Sequence, residues 1–217
     1  MSNIYSITGA SSNIGKSVIQ LLSKTENELH LYSVRTLTDL KKNNIFYNKV
    51  LHYNDIKIPQ FSNKLLVCNG NFEFSKFELE SSNSIADLIN ANFTVVLQIV
   101  NQFLKTTDKN KKRDIYILGS TAAYDLGPGV SVYAASKLAI KGFITSINKE
   151  FSDINTRFTL ISFGTVNNEM GLKVPNQIQS TLLDSLEIGE QIAEIMENKH
   201  DFFQPEIIIR RRFTQSH

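Results

Sequence analysis

The alternation of short apolar runs with helical patterns constrains the fold of this chain more than any other feature of its sequence. Between most of the runs, apolar residues recur three and four positions apart, which is typical of helices packed on a core. Parallel strands need long crossover connections that are usually helical. The alternation therefore predicts an α/β fold, a three-layer, doubly wound parallel sheet with helices on both faces. The predicted strands, about seven, are Ile4–Thr8, Leu29–Ser33, Lys49–Tyr53, Leu65–Cys68, Ile115–Gly119, Thr159–Ser162 and Glu206–Ile209. The predicted helices are Ile14–Lys24, Thr36–Lys42, Ser84–Lys105, Val132–Phe151 and Ile188–Asn198.

One connection departs from this pattern. Only Asn54–Asn63 separates the third predicted strand from the fourth, whereas a parallel crossover usually takes about a dozen residues or more. We expect a shortened crossover whose helix is missing or is a single turn. A chain of 217 residues can bury one substantial core, and no change of composition marks a boundary, so we expect residues 1–217 to form a single domain.

Charge and composition exclude several classes of function. Lys and Arg number 23 and Asp and Glu 21, and the resulting net charge of +2 indicates neither nucleic acid nor an anionic membrane as a partner. Cys68 is the only cysteine, and His30, His52, His200 and His217 have no metal-ligand spacing, so we expect no metal site and no internal disulfide. No basic leader and no run of about eighteen apolar residues is present, so we expect a cytoplasmic protein.

The connection after the first predicted strand is suited to binding phosphate. It reads Thr8-Gly9-Ala10-Ser11-Ser12-Asn13-Ile14-Gly15 and leads directly into a predicted helix. Gly9 permits a tight turn, Gly15 permits close packing of helix on strand, and free amides at a helix start attract an anion. Asn13 stands where glycine is usual, and Asn tolerates a left-handed backbone. From this turn alone, an ordinary strand-to-helix connection remains the alternative. The residues predicted to bind a dinucleotide here are Gly9, Ser11, Ser12, Asn13, Ile14 and Gly15.

A second group of polar residues gathers further along the chain. Tyr133 and Lys137 are four residues apart at the start of a predicted helix, so their side chains emerge on one face. Ser120 ends the preceding predicted strand, and the loop with Gly127-Pro128-Gly129 lets the strand end and the helix start converge on one cleft. Asn92 lies on the predicted helix between the fourth and fifth strands. Taken singly, each residue also fits an ordinary structural role.

In the order of these motifs the chain resembles the short-chain dehydrogenase/reductase family, from Asn3 to about Gly164. The family signature combines a TGxxxGxG turn, an Asn-Gly-type turn after the fourth strand, a serine and a YxxxK motif. The matching residues here are Thr8–Gly15, Asn69-Gly70, Asn92, Ser120 and Tyr133-Ala134-Ala135-Ser136-Lys137. The resemblance implies a Rossmann-like sheet and hydride exchange between a nicotinamide dinucleotide and a small carbonyl or alcohol substrate.

The resemblance also implies a role for each residue of the second group. Tyr133 would be the general acid/base, and Ser120 would hydrogen-bond the substrate oxygen. Lys137 would bind the nicotinamide ribose, and Asn92 would hold a water that relays protons. The charge of Lys137 would lower the pKa of the Tyr133 phenol, and a shift of about three units corresponds to about 4 kcal/mol.

The end of the second predicted strand bears on the form of the cofactor. It reads Tyr32-Ser33-Val34-Arg35 and carries no carboxylate to accept the adenosine-ribose hydroxyls. The guanidinium of Arg35 is suited to a 2′-phosphate, so we expect NADP(H), with NAD(H) as the alternative. The further contacts that the resemblance implies are Asp55 at the adenine, Asn69 and Gly70 after the fourth strand, and Val166 and Asn168 at the nicotinamide.

The sequence does not determine the substrate or the oligomeric state. Residues 170–186 are apolar enough to form a substrate lid, but they do not identify the substrate. The polar, basic tail after Ile209 departs from the glycine-containing end that shapes many tetramers of the family, so the oligomeric state, homodimer or homotetramer, stays open. The main alternative function is a non-catalytic redox or metabolite sensor that binds a dinucleotide. A nucleotide-sugar epimerase or dehydratase shares YxxxK but normally carries an additional substrate domain, for which this chain has no room.

Overall fold

The computed structural model describes residues 2–37, 42–151, 155–198 and 203–211, and these contain a seven-stranded sheet. Every pair of neighbouring strands is parallel. The order is β3-β2-β1-β4-β5-β6-β7 and reverses direction beside β1, so the carboxyl ends of β1 and β4 flank the crevice where such sheets bind ligands. The strands are β1 (Ile4–Thr8), β2 (Glu28–Ser33), β3 (Ile45–Lys49), β4 (Lys64–Val67), β5 (Arg113–Leu118), β6 (Thr156–Phe163) and β7 (Glu206–Ile209).

Helices cover both faces of this sheet. On one face, Val18 and Ile192 of two helices pack with Ile7 of β1, and on the other, Ile99 and Ile144 pack with Ile117 of β5. This confirms the predicted three-layer, doubly wound arrangement. In the described residues the α-helices are α1 (Asn13–Leu22), α2 (Ser82–Ile89), α3 (Val95–Thr106), α4 (Ser131–Glu150) and α5 (Ser185–Glu197). None of them is long and apolar enough to cross a membrane.

The helix predicted at Ser84–Lys105 is interrupted. A π-helical turn, Asn90–Thr94, joins α2 to α3, and Asn92 lies fully buried within it. π-turns are rare and commonly found at functional sites. Apolar spacing does not reveal such a turn, because the pattern of buried residues continues through it.

The third strand does not lie where we predicted it. β3 spans Ile45–Lys49 rather than Lys49–Tyr53. It is an edge strand on which residues such as Phe46 stay half exposed, so it lacks a continuous apolar run. Val50 and Tyr53, which suggested a strand, instead pack among the side chains beside α3.

The shortened crossover is confirmed, although its bounds change. Residues 50–63 connect β3 to β4 and contain only a short 3₁₀ turn, Tyr53–Asp55. In the helix predicted at Thr36–Lys42, residues 38–41 lie outside the described residues, and the described ends of that segment are not helical.

Candidate active site

The turn between β1 and α1 is built around Gly9. Its φ is +64°, a backbone conformation that favours glycine. A Cβ atom there would lie 2.7 Å from the carbonyl carbon and oxygen of Cys68, which follows β4. Ser12 then caps α1, because its hydroxyl oxygen accepts a hydrogen bond of 3.1 Å from the Gly15 amide. The turn therefore brings the amino end of α1 to the crevice between β1 and β4.

Asn13 needs a different explanation from the one that the sequence suggested. It is the first residue of α1, and among the described non-glycine residues only Asn176 has a positive φ. The left-handed backbone that we expected at Asn13 is therefore wrong. Asn13 stands in a right-handed helical turn, where glycine is not required.

We predict that Gly9→Ala destabilises the protein by at least about 2 kcal/mol, since the left-handed backbone disfavours an L side chain and the new methyl group meets backbone atoms. Thermal unfolding measures the change, and a loss of this size lowers the Tm by roughly 4 °C or more. Gly127→Ala is the matched control, because an added Cβ there meets no atom within 4 Å. Equal stability of the two variants would contradict the prediction.

The structure brings Tyr133, Lys137 and Ser120 together. Tyr133 and Lys137 lie in the first two turns of α4, with the Lys137 Nζ atom 5.7 Å from the centroid of the Tyr133 ring. The Lys137 ammonium donates a hydrogen bond of 3.2 Å to the Leu118 carbonyl at the end of β5. Ser120 follows β5 and lines the same cleft as Tyr133, with its hydroxyl group near the phenol. The end of β5 and the start of α4 thus converge as the glycine-containing loop between them predicted.

The electrostatics of this group differ from our expectation. Burial raises the pKa of Tyr133, and the nearby Ser120 hydroxyl offsets part of the rise. Burial also lowers the pKa of Lys137 to about 8. The lowered phenol pKa that we predicted is therefore wrong for this arrangement, because desolvation of the buried phenol outweighs the opposing effect of Ser120. Tyr133 is therefore a protonated phenol at neutral pH.

The Asn92 side chain holds the loop that follows β4 by hydrogen bonds. Its Oδ1 atom accepts a hydrogen bond of 2.7 Å from the Asn71 amide, and its Nδ2 atom donates to the Asn71 carbonyl at 3.0 Å. Nδ2 also donates to the Ser136 hydroxyl at 3.1 Å. The side chain thus fastens the segment after β4 to α4, and its role in a proton relay stays a prediction.

A cleft of about 400 Å³ joins the turn after β1 to the tyrosine and lysine. Asn69 and Gly70 lie between the two, and the Asn69 Oδ1 atom is buried without a hydrogen-bond partner. Val166 and Asn168 line the far side. The residues of our prediction that line this cleft are Ser12, Asn13, Ile14, Asn69, Gly70, Ser120, Tyr133, Lys137, Val166 and Asn168.

Other predicted residues lie apart from the cleft wall. Asp55 is exposed in the 3₁₀ turn. Its neighbour Tyr53 lies close to Asn69 and the Gly9 backbone, and burial raises its pKa. Arg35 is exposed beyond the end of β2. Tyr53 was not among the predicted site residues, because the apolar pattern around it predicted a strand.

Two further features of the site concern Phe72 and metal binding. The sequence analysis also missed Phe72, which is buried against the Tyr133 ring. The described residues hold no group of three or more His, Cys, Asp or Glu side chains arranged to bind a metal. His200 and His217 lie outside the described residues.

These features fit a dinucleotide. The turn at Gly9 has no room for a side chain, the helix start beside it is suited to a pyrophosphate, and the unpaired Asn69 oxygen can accept a hydrogen bond from a ribose hydroxyl. Fold and site together define a doubly wound α/β protein whose crevice suits a dinucleotide beside a tyrosine and lysine pair.

The comparisons with known proteins identify the family. A family model described as short chain dehydrogenase matches residues 64–179, and the chain belongs to this family. An uncharacterised oxidoreductase of Staphylococcus saprophyticus is 27% identical over 203 residues, covering 83% of this chain and 80% of that one. Carbonyl reductase family member 4 of Xenopus laevis is 24% identical, covering 78% of each chain.

Solved structures agree on the fold. A short chain dehydrogenase family protein from Francisella tularensis has a TM-score of 0.83 at 17% identity, covering 96% of each chain. A short-chain dehydrogenase/reductase from Vibrio parahaemolyticus has a TM-score of 0.84 at 19% identity, covering 96% of this chain and 100% of its own. The family model and the curated relatives, together with this fold, make the chain an oxidoreductase of the short-chain dehydrogenase family.

Proposed function

We propose that this protein is an NADP(H)-dependent oxidoreductase that interconverts a carbonyl and an alcohol, with Tyr133 as its general acid/base. The proposal rests on one observation. Tyr133, Lys137 and Ser120 line the same cleft as the turn after β1. NADP(H), when bound, supplies or accepts the hydride. Its pyrophosphate would meet Ser12, Asn13 and Ile14 at the start of α1.

Ser120, Tyr133 and Lys137 have different roles towards the substrate. The hydroxyl groups of Ser120 and Tyr133 hydrogen-bond the carbonyl oxygen, and Tyr133 donates its proton as the alcohol forms. The Lys137 ammonium lies close enough to stabilise the phenolate that remains. The raised pKa of Tyr133 keeps the phenol protonated at neutral pH, which is the form that carbonyl reduction requires.

Residues 1–217 would act as one domain, and residues 170–186 as a lid over its cleft. Met170, Gly171 and Val174 line the cleft beside Asn168. The Asn168 Oδ1 atom accepts a hydrogen bond of 2.9 Å from the Gly171 amide, which holds the start of this segment in place. The lid would exclude water from the reacting groups.

The preference for NADP(H) rests on the end of β2. Ser33 donates a hydrogen bond of 2.7 Å to the Ser11 hydroxyl and accepts one of 3.1 Å from the Arg35 amide. Two hydroxyl groups therefore lie beside the Arg35 backbone, and none of these three residues has a carboxylate side chain. Such a group suits a 2′-phosphate.

The structural neighbours include both forms of cofactor. An alcohol dehydrogenase from Thermococcus sibiricus was solved with 5-hydroxy-NADP, whereas another neighbour is an NADH-dependent reductase. Their identities to this chain are below 20%, so the residues at the end of β2 carry the argument for NADP(H).

We predict that NADPH binds more tightly than NADH, and that Arg35→Ala weakens NADPH by about ten- to 100-fold while leaving NADH nearly unchanged. The lost interaction is a charge-assisted hydrogen bond to phosphate, worth about 1.5–3 kcal/mol. Titration with each cofactor measures it. Lys105→Ala removes the same charge from an exposed position in the last turn of α3 and should change neither affinity. A wild-type preference for NADH, or equal losses in Arg35→Ala, would contradict the assignment.

The function itself is tested by incubating the protein with NADPH and a panel of aldehydes and ketones, and following the loss of NADPH absorbance. Turnover that Tyr133→Phe abolishes supports the proposal. NADPH binding without turnover of any compound would favour the alternative, a dinucleotide-binding sensor.

A further inference from the structure

The loop that follows β4 forms one wall of the cleft, and the structure holds it from two sides. Asn92 fastens Asn71 by two hydrogen bonds, of 2.7 and 3.0 Å. Four residues later, the Ser75 amide donates a hydrogen bond of 2.9 Å to the carbonyl of Gly129, just before α4. The loop is thus anchored to the π-turn on one side and to the start of α4 on the other, so the position of Phe72 between these anchors is well defined.

The Phe72 ring packs directly against the ring of Tyr133, the proposed general acid. Its ring centroid lies 4.8 Å from that of Tyr133, and the two ring planes make an angle of 83°. This edge-to-face arrangement is the favourable one for aromatic rings. Phe72 is only 6% exposed, yet it lines the cleft. A substrate whose carbonyl oxygen reaches Tyr133 therefore places a substituent beside Phe72.

The lid is tied to the same loop. The Lys173 ammonium donates to the Phe72 carbonyl at 3.0 Å and pairs with the Glu73 carboxylate at 3.1 Å. These contacts bring the segment with Met170 and Val174 over the side of the cleft that Phe72 forms. They also occupy the ammonium, which is then not available to a substrate carboxylate.

The charges of the cleft restrict the substrate further. Among the described residues that line it, Lys137 is the only Lys or Arg, and its ammonium donates a hydrogen bond to the Leu118 carbonyl and lies 5.7 Å from the centroid of the Tyr133 ring. Asp125 is the only carboxylate, and it pairs with Arg210. Phe72, Val130, Met170 and Val174 supply apolar surface. An anionic substituent would lose its hydration here without gaining a cation.

We propose that Phe72 is a specificity-determining residue, and that the cleft accepts an uncharged carbonyl compound with an aromatic substituent that packs against its ring. The proposal rests on the proposed function, because it assumes that the carbonyl oxygen binds at Tyr133. It names the substrate class by shape and charge.

Two matched pairs of aldehydes test the substrate class. Benzaldehyde and 4-carboxybenzaldehyde differ by a negative charge, and we expect kcat/KM to be at least about tenfold lower for the anion, mostly through KM. Benzaldehyde and cyclohexanecarbaldehyde have the same number of carbon atoms but differ in flatness, and we expect the flat ring to be preferred. Equal values within both pairs would overturn the proposal.

Two variants test the role of Phe72 in substrate specificity. Phe72→Leu keeps apolar volume and should fold, while losing most of the preference for benzaldehyde over cyclohexanecarbaldehyde. Phe74→Leu is the matched control, because that ring packs on Gly129 and does not line the cleft. It should retain the preference, and equal effects of the two variants would overturn the assignment of Phe72.

A binding measurement separates this inference from the proposed function. Benzamide is an unreactive analogue of benzaldehyde, and saturation-transfer NMR reports its binding to the NADPH-loaded protein without any turnover. Binding that Phe72→Leu weakens, with no reduction of any aldehyde, would support the site and defeat the proposed activity. Reduction of aldehydes without a contribution from Phe72 would support the activity and defeat this inference.

Discussion

Tyr133→Phe is expected to lower kcat for carbonyl reduction by at least about 10², while leaving the fold and the affinity for NADPH nearly intact. The substitution removes only the hydroxyl group that donates the proton. The remaining ring keeps its edge-to-face contact with Phe72, so packing at the start of α4 is preserved. Steady-state kinetics on a substrate that the wild type reduces measures the loss, and titration with NADPH measures the affinity.

Tyr124→Phe provides the control for this experiment. It also deletes a phenol hydroxyl that makes a hydrogen bond, in this case to Glu206, but Tyr124 does not line the cleft. We expect it to retain activity. Full activity of Tyr133→Phe would overturn the mechanism, and the sensor hypothesis would then be the better explanation of the dinucleotide site.

Lys137→Met is expected to lose both turnover and cofactor affinity, by at least about 10² in kcat and about tenfold in NADPH binding. The variant removes the charge beside Tyr133 and a donor for the nicotinamide ribose. This double loss distinguishes Lys137 from Tyr133, whose substitution should affect turnover alone. Unchanged NADPH affinity in Lys137→Met would contradict the role assigned to the ammonium.

The stability of the same variant should change with pH in a defined direction. The pKa of Lys137 is about 8 in the folded protein and about 10.5 when unperturbed. Between these values the unfolded chain binds more protons than the folded one, so the contribution of Lys137 to the free energy of unfolding rises with pH. At neutral pH, Lys137→Met should be more stable than the wild type by up to about 3 kcal/mol, and the difference should disappear towards pH 10.

Denaturant unfolding at a series of pH values measures this difference. Lys141→Met is the control, because Lys141 lies one turn further along α4 with a partly exposed side chain, where it pairs with Glu206. A stability difference between Lys137→Met and the wild type that does not vary with pH would show that the ammonium of Lys137 is not desolvated in the folded protein.

Local patterns were sufficient to predict most of the elements. β1 and β7 lie at their predicted residues, and α1, α4 and α5 begin and end within about three residues of prediction. These elements combine a clear apolar period with recognisable ends, as in α1, where Ser12 caps the helix. β3 was misplaced because an edge strand needs only one paired side, so its sequence is less strongly patterned.

The candidate site likewise contains residues that local patterns could predict and one that they could not. Gly9 could be predicted because a tight turn with a positive φ restricts the residue type locally. Two residues that act together can also be predicted when they share one helix, as Tyr133 and Lys137 do. Phe72 carried no such signal, because its position beside Tyr133 depends on Asn92 and Gly129, residues far from it along the chain.

The sequence by itself determined the alternation of strands and helices, the glycine turn after β1, and the family to which the chain belongs. Only the tertiary structure decided the surroundings of the reacting groups. Spacing along a helix places Lys137 near Tyr133, but it does not report how much water the fold removes from either. Burial depends on residues brought together from distant parts of the chain, and this desolvation raises the pKa of Tyr133 and lowers that of Lys137.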